Sequence, residues 1–155
     1  MQSTSPMTSL PEEQQVMTLL LDLLKQEQLH LVSADIDSLI DITAQKTTLV
    51  AKMAALASSR HHALGAAGFA AQETGMQTWI TDRGNSADAG LWQQVLGLTR
   101  DAKEINRING MLINKQMAHN QNALNALRPP AQAGDVYGLN GQTSSAAASR
   151  RFVIG

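Results

Sequence analysis

The stretch LWQQVLGLTRDAKEINRINGML, residues 91–112, decides the fold. Its apolar positions Leu91, Val95, Leu98, Ala102, Ile105, Ile108 and Leu112 recur at steps of three and four, which places them on one side of an α-helix, close to a heptad seam. A half-buried strand would alternate instead. Met111, Ile113, Met117, Ala123, Leu124 and Leu127 extend the stripe and rotate it. Asp88 offers an N-cap and Pro129-Pro130 stops the pattern, so a long helix is predicted over about 89–127.

Working back towards the start, two more helical segments precede it. Val16, Leu20, Leu23 and Leu24, widened by Met17 and Leu21, predict a helix from about Leu10 to Val32 that is covered on more than one side. Ser9-Leu10-Pro11-Glu12 reads as its capping box, with Pro11 tolerated in the first turn. Ser33-Ala34-Asp35 breaks the pattern and supplies a fresh N-cap. Ile36, Leu39, Ile40, Thr43, Leu49, Val50, Met53, Leu56 and Ala57 then predict a second helix to about Leu64. The short connection makes the two an antiparallel hairpin. Between Gly65 and Asp88 the pattern loosens; a short helix around Ala70 to Thr81 carries Met76, Trp79 and Ile80, and Asp82-Arg83-Gly84-Asn85-Ser86 has turn chemistry.

The fold class predicted is therefore all-α: an antiparallel helical hairpin plus a long C-terminal helix in a coiled-coil-like bundle. The 155-residue chain divides into a flexible start at 1–8, a helical domain at 9–128 and a flexible tail at 129–155. The tail is rich in Gly, Ser, Ala and Gln and has too little apolar surface to offset the entropy of ordering. Aromatic residues make up only 3% of the chain, which leaves Leu, Ala, Ile and Met to build the core and favours helices over a β-sandwich.

Composition narrows function by exclusion. A net charge of −1, from 12 basic and 13 acidic side chains, gives no field that would draw nucleic acid or an anionic membrane. Arg150-Arg151 alone supplies little. The chain has no cysteine, hence no disulfide framework or thiolate metal site. The start has no positive leader, and no run reaches the roughly 18 apolar residues of a membrane span. His61 and His62 are adjacent on a helix and point about 100° apart, so they share a metal poorly. His30 and His119 have no ligand spacing, Asp35 and Asp37 read as first-turn carboxylates, and Gly65-Ala66-Ala67-Gly68 lacks the Lys of a phosphate loop. Neither a catalytic constellation nor a cofactor is expected.

The long helix has an unusual polar face. Asn106, Asn109, Asn114, Asn120, Asn122 and Asn125, with Gln116 and Gln121, stand where Lys and Glu are usual. Asn is a poor helix former, and Gly110 costs about 1 kcal/mol relative to Ala. Amides that hydrogen-bond a visiting chain account for the choice; so does packing that overrides propensity. Met111 and Met117 are adaptable packing residues suited to varied partners, and as single residues they also suit an ordinary core.

Two segments carry a family resemblance. One is Ile105-Asn106-Arg107-Ile108-Asn109-Gly110-Met111-Leu112-Ile113, continued by Asn120-Gln121-Asn122-Ala123-Leu124-Asn125-Ala126-Leu127-Arg128-Pro129. The other is Val136-Tyr137-Gly138-Leu139-Asn140-Gly141-Gln142-Thr143-Ser144, followed by Arg150-Arg151-Phe152-Val153-Ile154. With the preceding hairpin, the whole chain resembles the FlgN family of flagellar export chaperones, and the tail signature is its most specific part.

That resemblance implies a non-enzymatic chaperone of the cytoplasm, transiently at the membrane-bound flagellar export apparatus. It would bind the C-terminal helical segments of the hook–filament junction proteins FlgK and FlgL, keep them from assembling early, and deliver them to the type III export gate component FlhA. The resemblance makes the long helix the client-binding element, with Leu98, Ile105, Ile108, Asn109, Met111, Leu112, Ile113 and Leu124 as contacts. It makes Tyr137, beside Gly138, the export-gate docking residue. The rival readings are a structural coiled-coil adaptor that self-associates through the same stripe, and an enzyme or nucleic-acid binder. A stoichiometric complex with a client separates the first from the chaperone; an activity or a salt-dependent shift with nucleic acid would be needed for the second.

Overall fold

The structure is a computed structural model that describes residues 4–128. The predicted tail, with Tyr137 and Gly138, lies outside the described residues. The described chain is all-α, with α1 at Leu10–Ser33, α2 at Ile36–Ala66, α3 at Glu73–Arg83 and α4 at Ser86–Ala126. It falls into two compact units, one ending at Ile113 and the other starting at Asn114.

In the first unit, α1 and α2 form the expected antiparallel hairpin, packed closely along their length. Their ion pairs give the register: Glu13 on α1 meets Arg60 on α2, and Glu27 meets Lys46, so numbers rise on one helix as they fall on the other. The turn is made by Ala34 in the left-handed region (φ 57°), where its N–H donates to the Leu31 carbonyl and that of Asp35 to the His30 carbonyl. Asp35 caps α2, its carboxylate accepting from the Ser38 N–H at 3.2 Å and the Ser38 hydroxyl at 2.8 Å. These bonds hold the Asp35 carboxyl below its usual pKa.

α1 buries the widest face, from Leu10 and Val16 through Leu24 to Leu31, because α2 and α4 cover it from two sides. α4 runs parallel to α1, with Gln14 beside Gln94 and Leu24 beside Asn109. Its seam is a true heptad pattern. Val95, Ala102 and Asn109 are buried seven residues apart, and Leu98 and Ile105, on the alternate seam positions, pack against the Met17–Leu24 cluster.

α3 closes one end of the bundle. Met76 and Ile80 join Leu10, Leu64, Trp92 and Val95 in a second cluster, with Phe69 and Trp79 against its edge. The loop before α3 passes directly under Gly75, where a Cβ would collide with the Ala70 carbonyl oxygen, so only glycine fits. This gives the loosely patterned middle of the chain a packing role, and its helix starts at Glu73, after Gln72 in extended conformation, not at Ala70.

Several sequence readings are corrected. Ser9-Glu12 is not a capping box: Ser9 has helical φ and ψ and makes no side-chain cap. Its hydroxyl donates to Glu13 at 2.8 Å, because that carboxylate is drawn inward by Arg60, while Glu12 pairs with Lys52 on the surface. Asp88 is not the α4 cap. Asn85 accepts from the Asp88 N–H at 2.9 Å and Asp88 accepts from the Asn85 N–H at 3.1 Å, a reciprocal box that puts the cap three residues earlier. Ile36 and Ile40 are exposed, because the start of α2 lies at the hairpin tip beside the end of α1. The expected frayed start is ordered over its described part, where the Thr8 N–H donates to the Ser5 carbonyl and Met7 packs on the core.

Candidate functional site

Two buried polar clusters look at first like chemistry. In one, Arg60 is 2% exposed and Glu13 fully buried. The Arg60 Nε donates to Glu13 at 3.0 and 3.2 Å and Nη2 donates to it at 3.1 Å. Nη2 also donates to Glu73 at 2.9 Å, whose same oxygen meets His61 Nε2 at 2.9 Å. The guanidinium lies 4.8 Å from the centre of the Trp92 ring. In the other cluster, Glu27 accepts from Lys46 and from the Asn109 amide, both at 2.8 Å, and Asn109 also donates to the Leu24 carbonyl at 2.9 Å. Both clusters tie α1 to its neighbours, and their charges are spent on one another. Among the described residues no three His, Asp or Glu side chains converge as a metal site.

Burial opposes ionisation of Glu73, but the hydrogen bond and charge of Arg60, and then of His61, outweigh it and hold the carboxyl below its usual pKa. A carboxylate depressed in the folded state stabilises above its unfolded pKa, and that stability is lost as pH falls through the folded value. Glu73→Gln is therefore expected to lower the urea midpoint at neutral pH, with the difference from wild type shrinking as pH drops below about 4. A difference independent of pH would show that Glu73 acts by packing alone.

The structure sorts the client-contact candidates into an inner and an outer group. Leu98 and Ile105 pack on the core, Ile108 and Leu112 are half-buried, and Asn109 is 1% exposed with its amide already bonded inside the bundle. Met111 and Ile113 face outward in the first unit. The second unit, described by itself, is the end of α4, where Met117 and Leu124 are each 64% exposed and, being seven residues apart, share a helix face. The surrounding amides Asn114, Asn120, Gln121, Asn122 and Asn125 are exposed as well.

The largest apolar surface is one that stripe-reading misses. α2 and α4 both pack on α1 but do not approach each other closely. Between them, over α1, runs a groove of about 530 Å³ floored by Met17 and Leu20 and walled by Met53, Ala54 and Ala57 on one side and Trp92, Val95 and Leu96 on the other. It continues as a space of about 350 Å³ past Leu24, Val50 and Ala102 to Lys46, Lys103 and Asn106. Val50 and Leu96, at its rims, stay 51% and 39% exposed. The signal was present as an excess: each long helix has a stripe wider than the neighbours available to cover it.

With this geometry in place, comparison with known proteins is informative. The sequence profile of the family described as FlgN protein matches residues 1–145. The chain is 34% identical over 146 residues to the flagella synthesis protein FlgN of Escherichia coli K12, covering 90% of this chain and 93% of that protein. It is 31% identical over 144 residues to the protein of the same name from Salmonella typhimurium LT2, covering 89% and 92%. No solved structure matches.

Proposed function

Because this chain belongs to the FlgN family, we propose that it is a cytoplasmic export chaperone that holds FlgK and FlgL by their C-terminal helical segments and hands them to the gate protein FlhA. The family is a non-enzymatic one of flagellar chaperones, and its named relatives are flagella synthesis proteins. No helix among the described residues is long and apolar enough to cross a membrane.

The observation that carries the reading is the outer surface of α4: large apolar side chains at Met111, Ile113, Met117 and Leu124 left in water among neutral amides. An isolated chain gains nothing from exposing them, whereas a client helix laid against them would bury apolar area on both partners. Neutral amides at the rim satisfy polar groups without the fixed charge complement that a single dedicated partner would select. The binding is reversible in consequence, as delivery requires.

Co-expression with C-terminal fragments of FlgK and FlgL tests this directly. A one-to-one complex with either fragment is the expected result. Self-association with no complex would favour the adaptor reading and remove this one. Met117→Asp is expected to weaken binding about tenfold or more, since it places a charge in a desolvated contact. Because Met117 is exposed, helicity and melting temperature should stay at wild-type values. Ile105→Asp is a poorer probe, because Ile105 packs on the internal cluster and its loss would unsettle the bundle itself.

A further inference from the structure

We infer that the groove between α2 and α4 is a second docking site, and that its occupant is an amphipathic client helix with an acidic flank. This rests on the client-holding reading and adds to it where on the chaperone a helix is seated and which charges orient it.

Geometry sets the size of the occupant. The groove follows α4 from Trp92 to Asn106, which at 1.5 Å per residue is about 21 Å, four turns of a guest helix. Its floor is the apolar face of α1, and Ala54 and Ala57 on one wall allow a helix to come close. Three helices here leave open the position that a fourth would fill in a bundle.

Charge selects the guest. At the end furthest from Arg60 the lining contains Lys46 and Lys103 and no acidic residue. Lys103 has no ion-pair partner among the described residues, while Arg100 and Arg107 stand three and four residues away on the same rim. Acidic side chains flanking the guest's apolar stripe would meet this cationic end. The chain's own segments do not fit it. Residues 114–155 contain one acid, Asp135, and their apolar end, Phe152-Val153-Ile154, follows Arg150-Arg151, of the same sign as the rim. A second copy offering the exposed end of α4 would likewise bring no carboxylate to Lys103.

The test uses the full chain and a labelled C-terminal FlgK fragment, titrated by fluorescence anisotropy. Ala54→Trp fills the groove from an exposed position and is expected to weaken binding about tenfold. Lys103→Glu, a surface change that keeps the test valid if the tryptophan disturbs the fold, is expected to weaken binding severalfold and to reduce its loss with added salt. An acid-to-lysine change on the fragment's flank should restore affinity for Lys103→Glu. Wild-type affinity in both variants overturns the groove while leaving the chaperone reading intact, and no binding by the wild-type chain overturns both. A dimer that Ala54→Trp converts to monomer with client affinity unchanged assigns the groove to a second copy. Tighter client binding after removal of residues 129–155, matched by Ala54→Trp, assigns it to the chain's own tail. Either result overturns the proposal.

Discussion

Arg60→Ala is expected to destabilise the helical bundle by about 3–5 kcal/mol, because it leaves the Glu13 carboxylate buried without a partner. For a unit of this size that is a fall in melting temperature of at least about 10 °C. The reasoning turns on asymmetry. Glu13 has no solvent route, and Arg60 supplies three of its hydrogen bonds while reaching out to Glu73 and lying over Trp92. The pair links α1, α2, α3 and α4 at one level of the bundle. Burial disfavours the charge on Arg60, yet the bonds to Glu13 and Glu73 outweigh it and raise its pKa, so the cation is held firmly. Replacing both partners with apolar residues, Arg60→Met with Glu13→Leu, is expected to recover most of the loss, since a buried ion pair is worth little over well-packed hydrophobic groups. Urea denaturation of the two single variants and the double variant checks this. A loss below about 1 kcal/mol in Arg60→Ala would mean that water reaches Glu13 and the cluster is not the clamp described here.

The Arg60 cluster also marks where reading from sequence stops. Apolar spacing alone located all three long helices, and Ser33-Ala34-Asp35 located the hairpin turn, because a helix must bury a stripe and a turn must be capped whatever surrounds it. Glu13 and Arg60 were invisible, since a charged residue between apolar ones reads as solvent-facing until its partner, far away in sequence, is brought beside it. Asn109 was misleading in a related way. It reads as one of several surface amides, yet it occupies a heptad seam position and donates inward to Leu24 and Glu27. Its Oδ1 has no hydrogen-bond partner. A buried amide at such a position costs stability and specifies register, which suits a helix that touches α1 through side chains. The caps at Ser9 and Asp88 were misplaced by short steps, because Asn85 and Asp88 each satisfy the chemistry of a cap and only the backbone decides between them. The groove escaped for a different reason: periodicity says which residues share a face but not whether a neighbour covers it.

Tyr137→Ala is expected to leave FlgK and FlgL binding at wild-type affinity while lowering their export, and motility with it, by about tenfold or more. The residue is the chain's only tyrosine, set between Val136 and Gly138 in a segment otherwise composed of small and polar residues. A tyrosine offers a rigid apolar face and a hydroxyl at the cost of few rotamers, which suits a short anchor. Glycine after it lets the backbone turn beside an anchored ring. The surrounding composition suits a tether, and a tethered anchor raises the local concentration of a loaded client at the gate without any new client contact. Holding and delivering would then reside in separate parts of the chain, with α4 and the groove serving the first and residue 137 the second. The alternative is that Tyr137 folds back onto the bundle and supports it. The two make opposite demands on one variant. Docking requires unchanged melting temperature and client affinity together with lost binding to FlhA, measured with purified proteins. Folding back requires a lower melting temperature or altered client affinity. Export of both clients at the wild-type rate by Tyr137→Ala would remove the docking role, and the search for the delivery element would pass to the other apolar segment of the tail, Phe152-Val153-Ile154.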